Sequence, residues 1–226
     1  MTVETIRVLI ADDHAIVRRG LRGVLEAEAD IEVIADAGDG LQVIELAKAL
    51  VPDVVIVDIN LPGASGIEVT RALKLHFPRM GIITITAFDD EDNLFEAMKA
   101  GASAFFLKDV SPADLLSAIR QVHAGAYLIN EEVLTKPVVA SRVLKQFRDL
   151  AVAGKDMEPL FVPLSPREMG VLEYIAKGNS NKQIARALTI SDQTVKNHIT
   201  SILRKLAVND RTEAVVFAFR KGWIKV

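Results

Sequence analysis

With 226 residues, half of them hydrophobic and a quarter charged, the chain has the make-up of a globular protein long enough for two small domains. It contains no cysteine, which excludes disulfides, thiolate metal centres and cysteine catalysis, argues against structural zinc and fits a reducing cytoplasm. The formal net charge of −3 divides unevenly, −9 over residues 1–128, 0 over 129–162 and +6 over 163–226, so a polyanion suits the C-terminal part, although a solvated basic face has the same signature.

The N-terminus, MTVETIRVLI, lacks a basic region leading into a longer apolar core, and no window of the chain is apolar enough to span a membrane; a cytoplasmic protein is expected. Over the first 128 residues, apolar runs alternate with segments of helical period. RVLIA, IEVIADA, DVVIVD, GIITITA and AFFL read as strands, with helices beginning near His14, Gly40, Ser65, Asp92 and Ser111. This alternation predicts an α/β fold, a parallel sheet with helices on both faces, and places ligands at the carboxyl ends of the strands.

Those strand ends carry the chemistry. The first runs into two adjacent carboxylates in LIADDH (Asp12, Asp13), the third ends at Asp58 in VIVDIN, the fourth at Thr86 and the fifth at Lys108. Like charges held together in a fold are costly unless a cation lies between them. Three carboxylates suit a hard divalent ion such as Mg2+, with water and a phosphate completing an octahedral shell. An aspartate in that setting, beside a lysine and a threonine hydroxyl, is equipped to accept a phosphoryl group. Asp58 is the expected nucleophile, exposed by the NLPGASG loop that follows it. Taken singly, each residue has an ordinary structural role: an aspartate after a strand is commonly a helix cap, Thr86 a strand residue, Lys108 a solvated charge and Phe105 core. Their occurrence together on one sheet edge is what carries the reading.

Residues 1–128 resemble the receiver domain of bacterial two-component response regulators, in LIADDH, VIVDINLPGASGIE, TITAFDD and GASAFFLKD. The resemblance implies a flavodoxin-like (βα)5 domain phosphorylated on Asp58 by a histidine kinase. Mg2+ would be held by Asp12, Asp13, Asp58 and the Asn60 carbonyl, with Lys108 on the phosphoryl group. Thr86 would move toward the phosphoryl oxygens, and Phe105, as the switch aromatic, would turn inward after it. The responding surface would be helix four, strand five and helix five, about residues 91–124. At its entrance the run Asp89-Asp90-Glu91-Asp92 suits a helix N-terminus or basic groups of a partner.

Residues 129–162 read as a linker. Val139, Val143, Phe147 and Leu150 recur at helical spacing, so an amphipathic helix is expected, packed on its own domain or joining two protomers, and Gly154 to Pro163 reads as flexible.

From 163 on, short capped helices follow. SPRE at 165–168 predicts a capping box with Pro166 at the first helical position, and SNKQ at 180–183 repeats the arrangement. A helix over 181–188, the turn Thr189-Ile190-Ser191 and a helix from Asp192 predict helix-turn-helix. On the latter helix Val195, Ile199, Ile202, Leu203 and Leu206 form a buried stripe, leaving Lys196, Asn197, Thr200 and Arg204 outward as a reading face for double-stranded DNA. This segment resembles the LuxR-type four-helix DNA-binding domain in LSPREMGVLEYIAKGNSNKQIARALTISDQTVKNHITSILRKLAV. The two halves together resemble a response regulator of the NarL/FixJ class. That implies Lys196, Asn197 and Thr200 in the major groove, a dimer contact on the final helix (about 210–221), and homodimers on phosphorylation. Thr200 departs from relatives with a basic residue there.

The expected function is therefore a phosphorylation-controlled transcriptional regulator. It is not an enzyme beyond slow self-dephosphorylation. Two alternatives are a constitutive DNA-binding protein using its receiver domain only as an interaction module, and a phosphohydrolase working through a phosphoaspartate. The second lacks the usual general acid two residues after the nucleophile, where Asn60 stands.

Overall fold

The computed structural model describes residues 5–129, 136–139, 141–142, 164–206 and 208–224, which fall into two compact units. In the N-terminal unit five strands, β1 (Ile6–Ala11), β2 (Ile31–Ala37), β3 (Val54–Asp58), β4 (Gly81–Thr86) and β5 (Ala104–Leu107), form one parallel sheet in the order β2-β1-β3-β4-β5. Helices α1 (Ala15–Leu25), α2 (Gly40–Leu50), α3 (Gly66–His76), α4 (Glu91–Ala100) and α5 (Pro112–His123) follow the strands in turn. The apolar runs are explained by this arrangement, since every residue of β3 and β4 is buried.

Local chemistry sets where several helices begin. Asp39 accepts from the amides of Leu41 and Gln42, Asp90 from Asp92 and Ser111 from Asp114, each satisfying amides that the helix leaves unpaired. Gly66 opens α3 directly beneath the site: a Cβ there would lie 2.1 Å from the Asp58 carbonyl oxygen. The strand order reverses direction between β1 and β3, and the ends of those two strands are where the crevice of such a sheet opens.

Of the linker positions, Val139 is fully buried in one cluster with Leu94, Phe95 and Phe105. Lys136 pairs with Asp89 and Arg142 with Asp92, and the Arg142 guanidinium stacks 4.4 Å from the centre of the Phe95 ring. Val139 and Arg142 therefore pack on α4, and the acidic run at 89–92 meets basic groups of its own chain. Val143, Phe147, Leu150 and residues 154–163 lie outside the described residues.

The C-terminal unit consists of α6 (Pro166–Ala176), α7 (Asn181–Leu188), α8 (Asp192–Leu206) and α9 (Arg211–Arg220) around a core that includes Leu172, Ile184, Val195, Ile202 and Ala218. Both capping boxes form. Glu168 accepts from the Ser165 amide at 2.7 Å, and Gln183 from the amide and hydroxyl of Ser180, both at 2.8 Å. Thr189, with φ 55, closes α7 in the left-handed region, making the turn of the helix-turn-helix tight.

Candidate functional site

The carboxyl ends of β1, β3 and β5 bring together Asp12, Asp58 and Lys108, with Lys108 50 positions from Asp58 and farther still from Asp12. Asp12 is wholly buried and Asp58 is 2% exposed. The Lys108 ammonium lies 2.7 Å from Asp58 Oδ2 and 2.7 Å from Asp12 Oδ2. Asp58 Oδ1 accepts the Asn60 amide at 3.1 Å, so both of its oxygens are engaged. Asp12 Oδ1 accepts the His14 amide at 2.8 Å. Its Oδ2 is within ion-pair reach of Lys108 but off a hydrogen-bonding direction, and is the one buried side-chain oxygen or nitrogen among the described residues with no hydrogen-bond partner. Asp13 is exposed, with its carboxylate 2.6 Å from His14 Nδ1.

Burial alone would lower the pKa of Lys108, but its hydrogen bond to Asp58 and the negative charge of Asp12 and Asp58 outweigh it and hold the ammonium above its ordinary value. One ammonium thus faces two buried carboxylates, with Asp13 beside them. Donor atoms of Asp12, Asp13, His14 and Asp58 all lie within 4.8 Å of one another. The unsatisfied buried Asp12 oxygen and the excess of carboxylate over ammonium fit a hard divalent cation with oxygen ligands. Asp12, Asp13 and Asp58 would supply its carboxylates, with the Asn60 carbonyl the ligand expected from the sequence.

Thr86 is fully buried at the end of β4, one residue past the partner of Asp58 in the β3–β4 register, and its hydroxyl accepts the Phe88 amide at 3.3 Å. Phe105 is turned inward, 5% exposed, in one cluster with Leu94, Ile129 and Val139.

In the C-terminal unit the expected stripe and reading face separate as the periodicity requires. Val195, Ile202 and Leu206 are buried, Ile199 and Leu203 partly so, while Lys196, Asn197, Thr200 and Arg204 are exposed on α8. Local bonds arrange this face: Lys196 pairs with Asp192 at 3.0 Å, Gln193 donates to Asn197 at 3.1 Å, and the Thr200 hydroxyl donates to the Lys196 carbonyl at 3.1 Å.

Sequence reasoning missed the group that holds this face in place. Glu168, read as a capping residue, is 4% exposed and also accepts from Ser201 and Lys205 of α8, each at 2.7 Å. Burial pushes its pKa up, but Lys205 and Ser201 outweigh that and hold it below the usual carboxylate value. The available signal was a glutamate in helical line with Val171, Leu172 and Ile175, and only the packing of α6 on α8 discloses the partner.

Comparison with known proteins agrees with both halves. The response regulator receiver domain model matches residues 8–120, and the luxR family model of bacterial regulatory proteins matches residues 162–218. The chain is 39% identical over 226 residues to the transcriptional regulatory protein YxjL of Bacillus subtilis (strain 168), covering all of both chains. It is 40% identical over 217 residues to the nitrate/nitrite response regulator protein NarP of Escherichia coli (strain K12), covering 96% of each. Among solved structures, a LuxR-family two-component response regulator from Aurantimonas sp. superposes with a TM-score of 0.53 at 30% identity, over 64% of this chain and 99% of that one.

Proposed function

Since the chain belongs to the two-component response regulators that join a receiver domain to a LuxR-type DNA-binding domain, we propose that its control lies in phosphoryl transfer to Asp58. It is a DNA-binding transcriptional regulator. The observation that carries the proposal is the Lys108 ammonium bridging Asp58 and Asp12 at the β1–β3 crevice.

In the transfer, an Asp58 carboxylate oxygen attacks the phosphorus of a kinase phosphohistidine. The P–N bond breaks, and the imidazole leaves with the electron pair and takes up a proton. Lys108, charged at neutral pH, stabilises the negative equatorial oxygens as they develop. Mg2+ held by Asp12, Asp13 and Asp58 would supply further charge neutralisation to the transferring group. Exchanging one carboxylate charge for a nearly dianionic group leaves acceptor oxygens for the Thr86 hydroxyl, and a shift of Thr86 is transmitted along β4 to the α4 surface on which Val139, Lys136 and Arg142 pack. Asn60 offers no carboxylate to activate water, so dephosphorylation is slow.

On the DNA side, Lys196, Asn197 and Thr200 of α8 enter the major groove and Arg204 meets backbone phosphate. Val216 and Phe219 are exposed on α9, which supports that helix as the contact between two copies on DNA. Domains follow as receiver 1–128, linker 129–162 and DNA-binding 163–226. No helix among the described residues is long and apolar enough to cross a membrane; partnership with a kinase and with DNA supports a cytoplasmic protein.

The test compares DNA affinity and oligomeric state of wild type and Asp58→Ala, with Mg2+, before and after a small-molecule phosphoryl donor. A rise in dimer and in DNA affinity confined to wild type supports the reading. Equal behaviour of the two proteins refutes phosphorylation as the control and leaves DNA binding standing.

A further inference from the structure

Arg18, on α1, has its guanidinium behind the Asp12-Asp13 turn rather than in solvent. Nη1 donates to the Asp12 carbonyl at 2.7 Å and to the Asp13 carbonyl at 3.2 Å, while Nε donates to Asp36 Oδ2 of β2 at 3.0 Å. Asp36 is anchored a second time, its Oδ1 lying 2.5 Å from Arg22 Nη2. The space is made by Gly38, where a Cβ would stand 3.0 Å from Arg18 Nη1 and 3.6 Å from the Asp12 carbonyl.

From this we infer that Arg18, held by Asp36, is the positioning residue for the cation-binding carboxylates: it fixes the peptide units of Asp12 and Asp13 so that two mutually repelling side chains converge on one point. The inference rests on the reading of Asp12, Asp13 and Asp58 as the metal site. Adjacent carboxylates left to a mobile turn would swing apart, and gathering them would be charged against metal affinity. The two carbonyls bond Nη1 and the carboxylate bonds Nε, separate nitrogens of one planar fork whose spacing the single nitrogen of an ammonium does not reproduce. A charge-only account gives the opposite sign. A cation near a cation site weakens metal binding, so deleting Arg18 would then strengthen it. The two accounts are therefore separable.

Mn2+ binding to the full-length chain, followed by the electron paramagnetic resonance of the free ion, tests this in wild type, Arg18→Gln, Arg18→Lys, Arg22→Gln and Asp58→Ala. Arg22 shares Asp36 but donates to neither Asp12 nor Asp13 in these bonds, so Arg22→Gln reproduces the loss of an Asp36 ion pair without releasing the turn. The expected result is about tenfold weaker Mn2+ binding in both Arg18 variants, in line with the loss of an outer-shell partner, and a change under twofold in Arg22→Gln. The Mg2+ concentration for half-maximal phosphorylation rises correspondingly in Arg18→Lys while its extent at saturating Mg2+ stays at wild type, a split that a general loss of stability does not produce. Unchanged or tighter Mn2+ binding in Arg18→Lys overturns the inference, as does an equal loss in Arg22→Gln. Wild-type Mn2+ binding that Asp58→Ala leaves untouched overturns the metal-site reading itself, and the inference with it.

Discussion

Truncating Glu168 to alanine should nearly abolish the stability of the C-terminal domain. The side chain is 4% exposed and has three partners at 2.7 Å, the Ser165 amide, the Ser201 hydroxyl and the Lys205 ammonium. Glu168→Ala leaves a mostly buried ammonium and an orphaned helix N-terminal amide, and breaking a buried pair from one side costs about 3–5 kcal/mol. A domain of this size has on the order of 5 kcal/mol in total, so the variant should be close to its unfolding midpoint at room temperature. Glu168→Gln keeps an acceptor oxygen but loses the charge; about 1–3 kcal/mol is expected, a fall in Tm of at least about 4 °C. Trp223, the only tryptophan of the chain, packs edge-on to Phe217 at 5.5 Å, so its fluorescence reports this domain's unfolding. The pH dependence follows in sign. Glu168 titrates lower folded than unfolded, so its contribution is complete above the unfolded value of about 4.3 and is lost as pH falls through the lower folded value. The gap between wild type and Glu168→Gln should therefore narrow below about pH 4. An Ala variant within about 1 kcal/mol of wild type, or a gap constant from about pH 7 to 3, would refute the reasoning.

Other perturbations have equally definite outcomes. Gly66→Ala drives a Cβ to 2.1 Å from the Asp58 carbonyl oxygen, and chemical denaturation should show the receiver domain losing about 3 kcal/mol, the upper end of what overpacking costs. Lys108→Met leaves Asp12 and Asp58 without their shared cation; the receiver domain should melt lower in chelator and gain more from added Mg2+ than wild type does, measured by calorimetry with and without the ion. Lys74 is 1% exposed, and burial lowers its pKa to about 7, so wild-type stability should rise between about pH 7 and 10 as the unfolded chain holds a proton the folded one has lost. Lys74→Met should flatten that rise in a series of denaturant midpoints. In the proposed complex Lys196→Ala should cost about 1–3 kcal/mol of DNA affinity in a binding titration at fixed salt.

The five βα units, their order along the chain and the start of most helices are legible in the sequence because they depend on local rules: apolar runs for buried strands, a serine or aspartate ahead of a helix, and a period of 3.6 on α8 that separates Val195 and Ile202 from Lys196 and Thr200. Asp12, Asp13, Asp58, Thr86 and Lys108 are legible for a related reason, since each stands at the end of an apolar run and parallel strands align those ends. Tertiary structure alone decides what each of these groups touches. The 2.7 Å approach of Lys108 to Asp58, the hold of Arg18 on the Asp12 and Asp13 carbonyls, the pairing of Glu168 with Lys205 and the burial of Lys74 join residues whose separation in sequence follows no period. Phe105 shows the same limit: an aromatic at that place on β5 can be recognised, but its inward position follows from Leu94 on α4 and Val139 beyond α5 packing against it. Residue type and spacing fix which groups reach one edge of the sheet; their charge state and orientation depend on neighbours that only the folded chain brings near.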